Sequence, residues 1–344
     1  MKRTAVVIFN LGGPESLETV YPFLRNLFLD PMIIRAPKVV RFFLSRFIAW
    51  RRAPVAKEIY KKIGCKSPIL DETNKQAAAL EKQLGDGYSV FVAMRYWKPF
   101  ADAIIETIVN TKPDHIVLLP LYPQFSTTTT GSFYKVWKDI AKKAELKIPT
   151  TLICCWPNAE GFVVSISKEI DKAVEELPNE TPYRILYSAH GLPEKIIAAG
   201  DPYAHQVECT AEAVQKKLRE PSADHVICYQ SRVGPMKWLT PYTENEIKRA
   251  GKERLAVIIV PIAFVSEHSE TLVELDIEYA NLAKSYGVPY FKRVKTVRTD
   301  KSFIRSLASQ VSAAENGSVY CESNICRERF RDCPHGRIAE NHDG

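Results

Sequence analysis

The chain has 344 residues, of which 46% are hydrophobic and 25% are charged, with 15 Gly and 22 Pro. This composition is typical of a globular protein and excludes a disordered or fibrous one, and the length allows two domains that each bury their own core. The net charge of +7 permits an anionic partner. Because no nucleic-acid-binding motif accompanies this charge, we predict no nucleic-acid partner.

The chain is predicted to lack a membrane span and a signal peptide. No stretch supplies the roughly 20 mostly apolar residues that a transmembrane helix needs. Lys2 and Arg3 lead into a short apolar run that ends at Asn10, and a Gly-Gly-Pro turn follows it. We therefore expect a cytoplasmic protein, with peripheral contact at the inner membrane left open. In that compartment the eight cysteines are expected to be thiols or metal ligands.

Apolar, β-rich runs alternate with helical patterns along the chain. Strands are predicted at Ala5–Phe9, Ser89–Ala93, His115–Leu119, Thr151–Cys155, Arg184–Ser188, His225–Tyr229 and Leu255–Val260. Helices are predicted at Phe100–Asn110, Phe133–Ala144, Gly161–Leu177, Tyr203–Arg219 and Glu270–Tyr286. Near-continuous apolar strands joined by helices predict parallel sheets that are covered on both faces. The predicted fold class is α/β, with two similar Rossmann-like, doubly wound domains of four-stranded parallel sheets.

The helix that ends before Pro178 divides this series near its middle. We predict a first Rossmann-like domain over residues 1–158, a connecting helix over 159–178, a second Rossmann-like domain over 179–314 and a cysteine-containing tail over 315–344. Ligands of such sheets bind beyond the carboxyl ends of the strands. The residues at these ends are polar and aromatic here, which favours an interdomain cleft for a flat, largely apolar ligand.

The segment 37–52 is basic and aromatic. No acidic residue lies between Asp30 and Glu58. The apolar residues at helical spacing on one face are Val40, Phe43, Leu44 and Phe47. This pattern predicts a surface helix that lies on a membrane or over an apolar ligand. The alternative is a helix packed on its own domain.

The common nucleotide and nucleophile motifs are missing from the chain. No G-x-G-x-x-G motif opens a helix, and no Walker loop, G-x-S-x-G or H-E-x-x-H occurs. We therefore predict no nucleotide cofactor. The residues expected to take part in a reaction are instead His190, which follows a strand, and those of the acidic helix that starts near Glu267.

Glu270, Glu274 and Glu278 repeat every four residues, which places three carboxylates along one helix face. Like charges at this spacing destabilise a helix by about 0.2–0.5 kcal/mol per pair unless they hold a cation or a proton. Imidazole and carboxylate together suit a divalent first-row metal, and His268 and His190 would supply the imidazoles. The alternative is a solvated acidic face near a helix N-terminus.

Three segments of the second half share a pattern with a known family. They are Tyr187–Pro193, Tyr229–Met236 ahead of Trp238, and Pro261–Tyr279. Through these segments, which occur in the same order as in that family, the chain resembles the ferrochelatases from about residue 4 to about residue 313. The resemblance implies a chelatase-like fold with an interdomain porphyrin cleft. It also implies insertion of Fe²⁺, as substrate, into a porphyrin to form haem, the last step of haem biosynthesis, with protoporphyrin IX as the expected porphyrin.

Two other functions fit the same residues. A chelatase for another metal, such as cobalt, would use the same base and acid row. A non-catalytic porphyrin-binding protein would share the cleft but would need no acid row leading to a base. The sequence leaves the oligomeric state open and does not distinguish protoporphyrin from coproporphyrin.

The resemblance also implies roles for individual residues. His190 and Glu270 form the catalytic pair, and either of them takes the pyrrole protons. The implied metal-binding or relay residues are His190, Glu270, His268, Glu274 and Glu278. The implied porphyrin-binding residues are Leu11, Phe28, Arg95, Tyr96, Tyr203 and Trp238 in the pocket, and Arg52, Tyr60 and Ser67 near the propionates. The helix over 37–52 becomes the apolar lip of this pocket, where it can touch a membrane.

The tail carries three cysteines, Cys321, Cys326 and Cys333, within thirteen residues. Some ferrochelatases bind a [2Fe-2S] cluster through three cysteines of the tail and one of the first half. Thr127 stands where the family has that fourth cysteine, so Cys154 or Cys155 is expected to substitute for it. The alternatives are free thiols or a zinc site.

Overall fold

The computed structural model describes residues 3–178, 181–314, 319–321, 326 and 330–334. Its strands are β1 (Thr4–Asn10), β2 (Tyr88–Met94), β3 (His115–Pro120), β4 (Thr150–Ile153), β5 (Tyr183–His190), β6 (His225–Gln230), β7 (Ala256–Pro261), β8 (Phe291–Arg293) and β9 (Val319–Tyr320). Its helices in the first half are α1 (Val20–Phe28), α2 (Lys38–Lys61), α3 (Ile69–Leu84), α4 (Ala101–Thr111), α5 (Thr130–Lys143) and α6 (Glu160–Glu175). Those that follow are α7 (Glu194–Ala198), α8 (Tyr203–Gln215), α9 (Thr243–Lys252), a π-helix (Glu270–Tyr279), α10 (Ala280–Ser285) and α11 (Lys301–Ala313).

The strands form two parallel sheets. The order is β2-β1-β3-β4-β9 in the first sheet and β6-β5-β7-β8 in the second. Within each half, the first strand therefore pairs with both the second and the third, and the fourth lies outside the third. The predicted α/β class with two doubly wound parallel sheets is confirmed. Parallel strands bring their carboxyl ends to one edge, which is where a ligand site forms.

The core follows from the apolar strands. β3 and β7 are buried along their whole length. One cluster of buried residues runs from β1 through α6 and α11 to β5 and β7, and includes Val6, Phe162, Phe303, Ile185 and Ile258. The helix that the sequence predicts as a connection therefore packs between the halves and contributes to a core that both share.

Two short strands were not predicted. β8 and β9 have three and two residues, which is too few for a hydrophobic period to appear. β9 belongs to the tail and adds a fifth strand to the first sheet, where Val319 pairs with Leu152 and Tyr320 with Ile153. β4 ends at Ile153 rather than at Cys155, so Cys154 and Cys155 follow the strand.

Several helices also differ from the prediction, and α2 continues to Lys61, beyond the predicted segment 37–52. α8 ends at Gln215 rather than at Arg219. The predicted helix over Glu270–Tyr286 is a π-helix as far as Tyr279 and an α-helix from Ala280 to Ser285. A π-helix is bonded from residue i to residue i+5, and a sequence pattern read at the α-helical period does not reveal it.

Candidate active site

His190 and Glu270 meet at the carboxyl edge of the second sheet. His190 is the last residue of β5, and Glu270 begins the π-helix that follows β7. His190 Nδ1 lies 2.8 Å from Glu270 Oε2. This bond occupies Nδ1 and leaves Nε2 as the ring nitrogen that can contact a ligand. The His190 side chain is 40% exposed, so a ligand can reach it.

The two groups shift each other's pKa. Burial lowers the pKa of His190, but the charge of Glu270 and the hydrogen bond outweigh it, so the pKa is raised above its usual value. Burial acts to raise the pKa of Glu270, whereas the charge and hydrogen bond of His190, assisted by His268, hold it well below the usual value. The pair therefore favours an imidazolium beside a carboxylate. The raised pKa makes His190 a stronger base once it is neutral.

Ser231 connects this pair to Glu274. Its hydroxyl lies 3.1 Å from Glu270 Oε2 and also hydrogen bonds to Glu274 Oε2. The backbone N–H of Ser231 donates to Glu274 Oε1 at 2.9 Å, and Gln230 Nε2 lies 3.4 Å from both carboxylates. Ser231 adopts φ +64°, a left-handed conformation that turns the chain after β6 toward the π-helix. No role for Gln230 or Ser231 follows from the sequence, because about 40 residues separate them from the acids that they contact.

The two carboxylates are tuned in opposite directions. Burial, followed by the charge of Glu270, raises the pKa of Glu274. The hydroxyl of Tyr279 donates to Glu274 Oε1 at 3.0 Å. Glu274 therefore accepts a proton more readily than Glu270, and a pair of acids with separated pKa values is suited to hold one proton.

The two remaining predicted metal residues are His268 and Glu278. The His268 ring is buried, packs on Phe264 with 4.7 Å between ring centroids, and has Nε2 3.7 Å from Glu270 Oε1. Glu278 is half-exposed, and its Oε1 lies 3.7 Å from Lys62 Nζ. The structure therefore brings His190, His268, Glu270 and Glu274 together. Within the described residues, no hydrogen bond joins Glu278 to them.

Arg95 and Tyr96 are held by a buried acid. Asp30 Oδ2 accepts from Arg95 Nη2 at 2.8 Å and from Tyr96 Oη at 2.7 Å, and the Ser132 hydroxyl bonds to the same oxygen. One carboxylate oxygen thus holds both side chains that follow β2. Removal of this acid would leave the Arg95 cation unpaired, which is strongly destabilising for a buried ion pair. No role for Asp30 follows from the sequence, because it lies 65 residues before Arg95.

Tyr203 and Trp238 flank His190. The hydroxyl of Tyr203 donates to the backbone oxygen of His190 at 3.0 Å. Trp238 is buried against Gly191, where a Cβ would lie 3.3 Å from Trp238 Cε3. Trp238 Nε1 has no hydrogen-bond partner among the described residues. The end of β5 that carries His190 is thus flanked by two aromatic side chains.

The other predicted pocket residues lie in the first half. Leu11 follows β1, where its backbone oxygen accepts from Tyr96 N at 2.9 Å. Arg52 is an exposed residue of α2, and its guanidinium carbon lies 5.9 Å from the ring of Phe28, which ends α1. These contacts join Leu11 to the residues that follow β2, and α2 to the end of α1.

Tyr60 and Ser67 lie at the end of α2 and just beyond it. Burial, the largest effect, raises the pKa of Tyr60 to about 12, with an opposing hydrogen bond to Ser269 and a further contribution from Glu270. Ser67 is buried, and its N–H donates to Pro14 O at 2.8 Å. Because Tyr60 reaches the start of the π-helix, both halves of the chain contribute to the surroundings of Glu270.

Helix α2 combines a small buried face with an aromatic exposed face. It packs through Ser45, Ala49 and Ala53. The exposed fraction is 42% for Phe42, 65% for Phe43, 57% for Phe47 and 66% for Trp50. The helix does pack on its own half, but its aromatic side chains are not the residues that pack. None of the described helices is long and apolar enough to cross a membrane.

Five cysteines converge where the tail meets the first sheet. Cys155 Sγ lies 3.6 Å from Cys154 Sγ and 3.6 Å from Cys321 Sγ. Cys333 hydrogen bonds to both Cys154 and Cys326. The pairing of β9 with β4 produces this arrangement, because it places Cys321 beside the two cysteines that follow β4. We call these five residues the cysteine site.

The cysteine site could hold a metal ion through sulfur ligands. Hydrogen bonds to Cys155, Cys321 and Cys333, and then burial, raise the pKa of Cys154 well above its usual value. Thiolates packed this closely repel one another unless a cation lies among them. Thiolate ligands select iron–sulfur clusters, zinc or Cu(I). Thr127 stays outside the site, since its N–H and hydroxyl both donate to Asp201 Oδ2 at 2.7 Å.

The chain is similar to known proteins over nearly its whole length. The family model described as Ferrochelatase matches residues 3–315. Proteins named ferrochelatase from Pelagibacter ubique and Rickettsia bellii are 43% and 46% identical over 343 residues, which is 96% of this chain and 98% and 95% of theirs. The ferrochelatase of Caulobacter vibrioides is 49% identical over 342 residues, 97% of each chain.

Solved structures provide a comparison of the fold. SirB from Bacillus subtilis with Fe³⁺ superposes with a TM-score of 0.56 at 12% identity, over 92% of this chain and 96% of that one. The sirohydrochlorin chelatase SirB from Bacillus subtilis subspecies spizizenii, in complex with cobalt, superposes with a TM-score of 0.52 at 11% identity, over the same shares. At this identity the likeness concerns the fold alone.

Proposed function

We propose a mechanism for this chain, which belongs to the ferrochelatase family and inserts ferrous iron into a porphyrin to form haem. The observation that carries the proposal is the pairing of His190 with Glu270 at the carboxyl edge of the second sheet. Metallation must remove two N–H protons from a flat ring while the ion loses its water. It therefore needs a base, exchangeable ligands for the metal, and walls that hold the ring.

We propose that His190 is the base. Its Nε2 is available to a pyrrole N–H, whereas Nδ1 is engaged with Glu270. Glu270 would then hold the ring in one orientation and stabilise the imidazolium that forms when His190 takes a proton. Glu270 and His268 are also suited to contact the incoming iron, because carboxylate and imidazole are ordinary ligands of divalent iron.

We propose that Ser231 and Glu274 carry the proton away from the pair. The Ser231 hydroxyl bonds to both carboxylates and can donate to either. The raised pKa of Glu274 makes it the better acceptor of the two. In this scheme Glu278, which is half-exposed beside Lys62, lies at the solvent end of the path.

The ring would lie between the proposed domains, residues 1–158 and 179–314. Arg95, Tyr96, Leu11 and Phe28 would contribute walls from the first domain, and Tyr203 and Trp238 from the second. Arg52, Tyr60 and Ser67 are proposed to lie near the propionates, where the guanidinium would pair with a carboxylate. Apolar walls with a few placed polar groups suit a flat aromatic ligand.

One assay tests the proposed substrate. Purified protein is incubated anaerobically with Fe²⁺ and either protoporphyrin IX or coproporphyrin, and the absorbance of the metallated product is followed. We expect the higher rate with protoporphyrin IX. A parallel reaction with Co²⁺ measures metal preference, and a higher rate with Co²⁺ than with Fe²⁺ would contradict the proposed use of iron.

We propose that the exposed aromatic residues of α2 form a lip that touches the cytoplasmic face of the inner membrane. Phe42, Phe43, Phe47 and Trp50 are exposed, and Arg46 and Arg51 lie among them. Apolar side chains flanked by cations are typical of surfaces that rest in the headgroup region of anionic bilayers. A porphyrin dissolved in lipid would enter the cleft from that side.

The double variant Phe43→Ser, Phe47→Ser is expected to bind vesicles more weakly and to keep its stability. Both side chains are more than half exposed, so the cost of removing them from a core does not arise. Vesicle co-sedimentation and thermal unfolding measure the two properties. The exposed Val109→Ser on α4 serves as the control. Unfolding of the double variant, or unchanged vesicle binding, would contradict the lip.

We propose that the cysteine site binds a [2Fe-2S] cluster through Cys321, Cys326, Cys333 and either Cys154 or Cys155. The site offers five sulfur donors within one group, where a cluster needs four. A bound cluster would supply a one-electron centre and would fasten the tail to the first sheet. Free thiols and zinc remain the alternatives that the experiment distinguishes.

Single changes of Cys321, Cys326 or Cys333 to Ser are expected to abolish the visible absorption of anaerobically purified protein. Each change removes one proposed ligand of the cluster. Cys65→Ser, at an exposed cysteine elsewhere, is the control. Of Cys154→Ser and Cys155→Ser, one should lose the absorption and the other keep it. Colourless protein that contains zinc, or no metal, after iron-replete expression would contradict the cluster.

A further inference from the structure

Helix α8 presents a buried amide to the cysteine site. Gln206 is fully buried, and its Nε2 lies 3.0 Å from Cys326 Sγ and 3.4 Å from Cys155 Sγ. We propose that Gln206 donates hydrogen bonds to the sulfur ligands of this site and thereby sets the reduction potential and the retention of the metal centre. This role rests on the proposed cluster. The proposed second domain, residues 179–314, which supplies none of the proposed ligands, would supply this donor.

The orientation of the amide is set from the first half. The backbone N–H of Phe125 donates to Gln206 Oε1 at 2.7 Å. A backbone N–H is only a donor, so it selects the amide oxygen and leaves the NH₂ group toward the sulfur atoms. A flipped amide would place its oxygen against the thiols and lose this bond.

A second contact holds the same loop to the same helix. Asp201 Oδ2 accepts from both the N–H and the hydroxyl of Thr127 at 2.7 Å. Its other oxygen accepts from Tyr203 N at 3.1 Å, at the start of α8. The loop after β3 is therefore bonded both to Gln206 and to Asp201, just before α8, and these bonds restrain the amide beside the cysteines.

The donor matters more for a metal-bound site than for free thiols. A neutral thiol is a weak acceptor, whereas a metal-bound thiolate carries charge and accepts a stronger bond. Hydrogen bonds to cluster sulfurs tune the reduction potential. The reduced cluster carries one more negative charge than the oxidised one, so the donor stabilises it more. Loss of the donor should shift the potential to a more negative value.

The experiment compares two variants of Gln206 with a matched variant of the same helix. Gln206→Met removes both the donor and the acceptor, and Gln206→Glu keeps an oxygen for Phe125 but places a carboxylate against the sulfurs. Gln215 is also a buried glutamine of α8, but it bonds to Tyr187 Oη at 2.8 Å, so Gln215→Met is the control. The full chain is purified anaerobically and its iron and sulfide are measured. A redox titration then gives the midpoint potential, and a chelator gives the rate of cluster loss.

Both Gln206 variants are expected to have a more negative midpoint potential and to lose the cluster about 10- to 100-fold faster. This is the range by which loss of a residue that hydrogen bonds to a metal ligand usually lowers metal affinity. Folded variants that load no cluster, beside a loaded control, would support the same role. A Gln206→Glu protein with the wild-type potential would overturn it. Wild-type protein without iron and sulfide would instead show that the cluster proposal itself has failed.

Discussion

The variant His190→Ala is expected to lose iron insertion by about 10²- to 10⁴-fold, the usual contribution of a general base. The reason is geometric as well as chemical, since Nε2 is the ring nitrogen left available by the bond from Nδ1 to Glu270. Porphyrin binding should remain nearly unchanged, because the proposed walls come from other residues. Fluorescence titration measures binding, and the haem absorbance assay measures turnover.

His225→Ala is the matched control for this change. His225 is exposed at the start of β6, at the opposite end of the second sheet from His190. The His190 side chain is itself 40% exposed, so its removal should leave the protein folded. A folded His190→Ala protein that inserts iron near the wild-type rate would exclude His190 as the base.

The variant Glu270→Gln is expected to lower turnover by about 10- to 100-fold, because the amide orients His190 but no longer stabilises its positive charge. The same change should move the pH profile. In the wild type, burial lowers the pKa of His190, but the charge and hydrogen bond of Glu270 outweigh this effect and hold the pKa above its usual value. The neutral base is therefore lost as the pH falls through this raised pKa. Without the negative charge the pKa falls, so the acid limb of the variant should lie at lower pH.

Steady-state rates from about pH 5 to 8, the range in which histidine ordinarily titrates, measure this shift. Glu212→Gln, at an exposed position of α8, provides the control for loss of a carboxylate. An acid limb that stays in place, or moves to higher pH, would show that Glu270 does not govern the protonation of His190.

The fold could be predicted because buried strands appear in the sequence as short, nearly continuous apolar runs. Strands β1, β3 and β7 are buried along their length and mostly apolar, and a parallel sheet covered on both faces needs such runs. The segments around His190, Trp238 and Glu270 also carried the family resemblance, which the comparisons confirm. The short strand β9 and the π-helix had no such signal, because neither has a hydrophobic period of its own.

The sequence by itself determined the α/β class, the family and the chemical types available at the site: a histidine after a strand, a row of acids and a set of cysteines. Only the tertiary structure decided which of these groups meet. Ser231 reaches Glu274 across 43 residues of chain, Arg95 reaches Asp30 across 65, and Gln206 reaches Cys326 across 120. The physical reason is that such contacts depend on the strand register and on buried polar groups that must find partners. These are properties of the packed molecule, and no local pattern of residues encodes them.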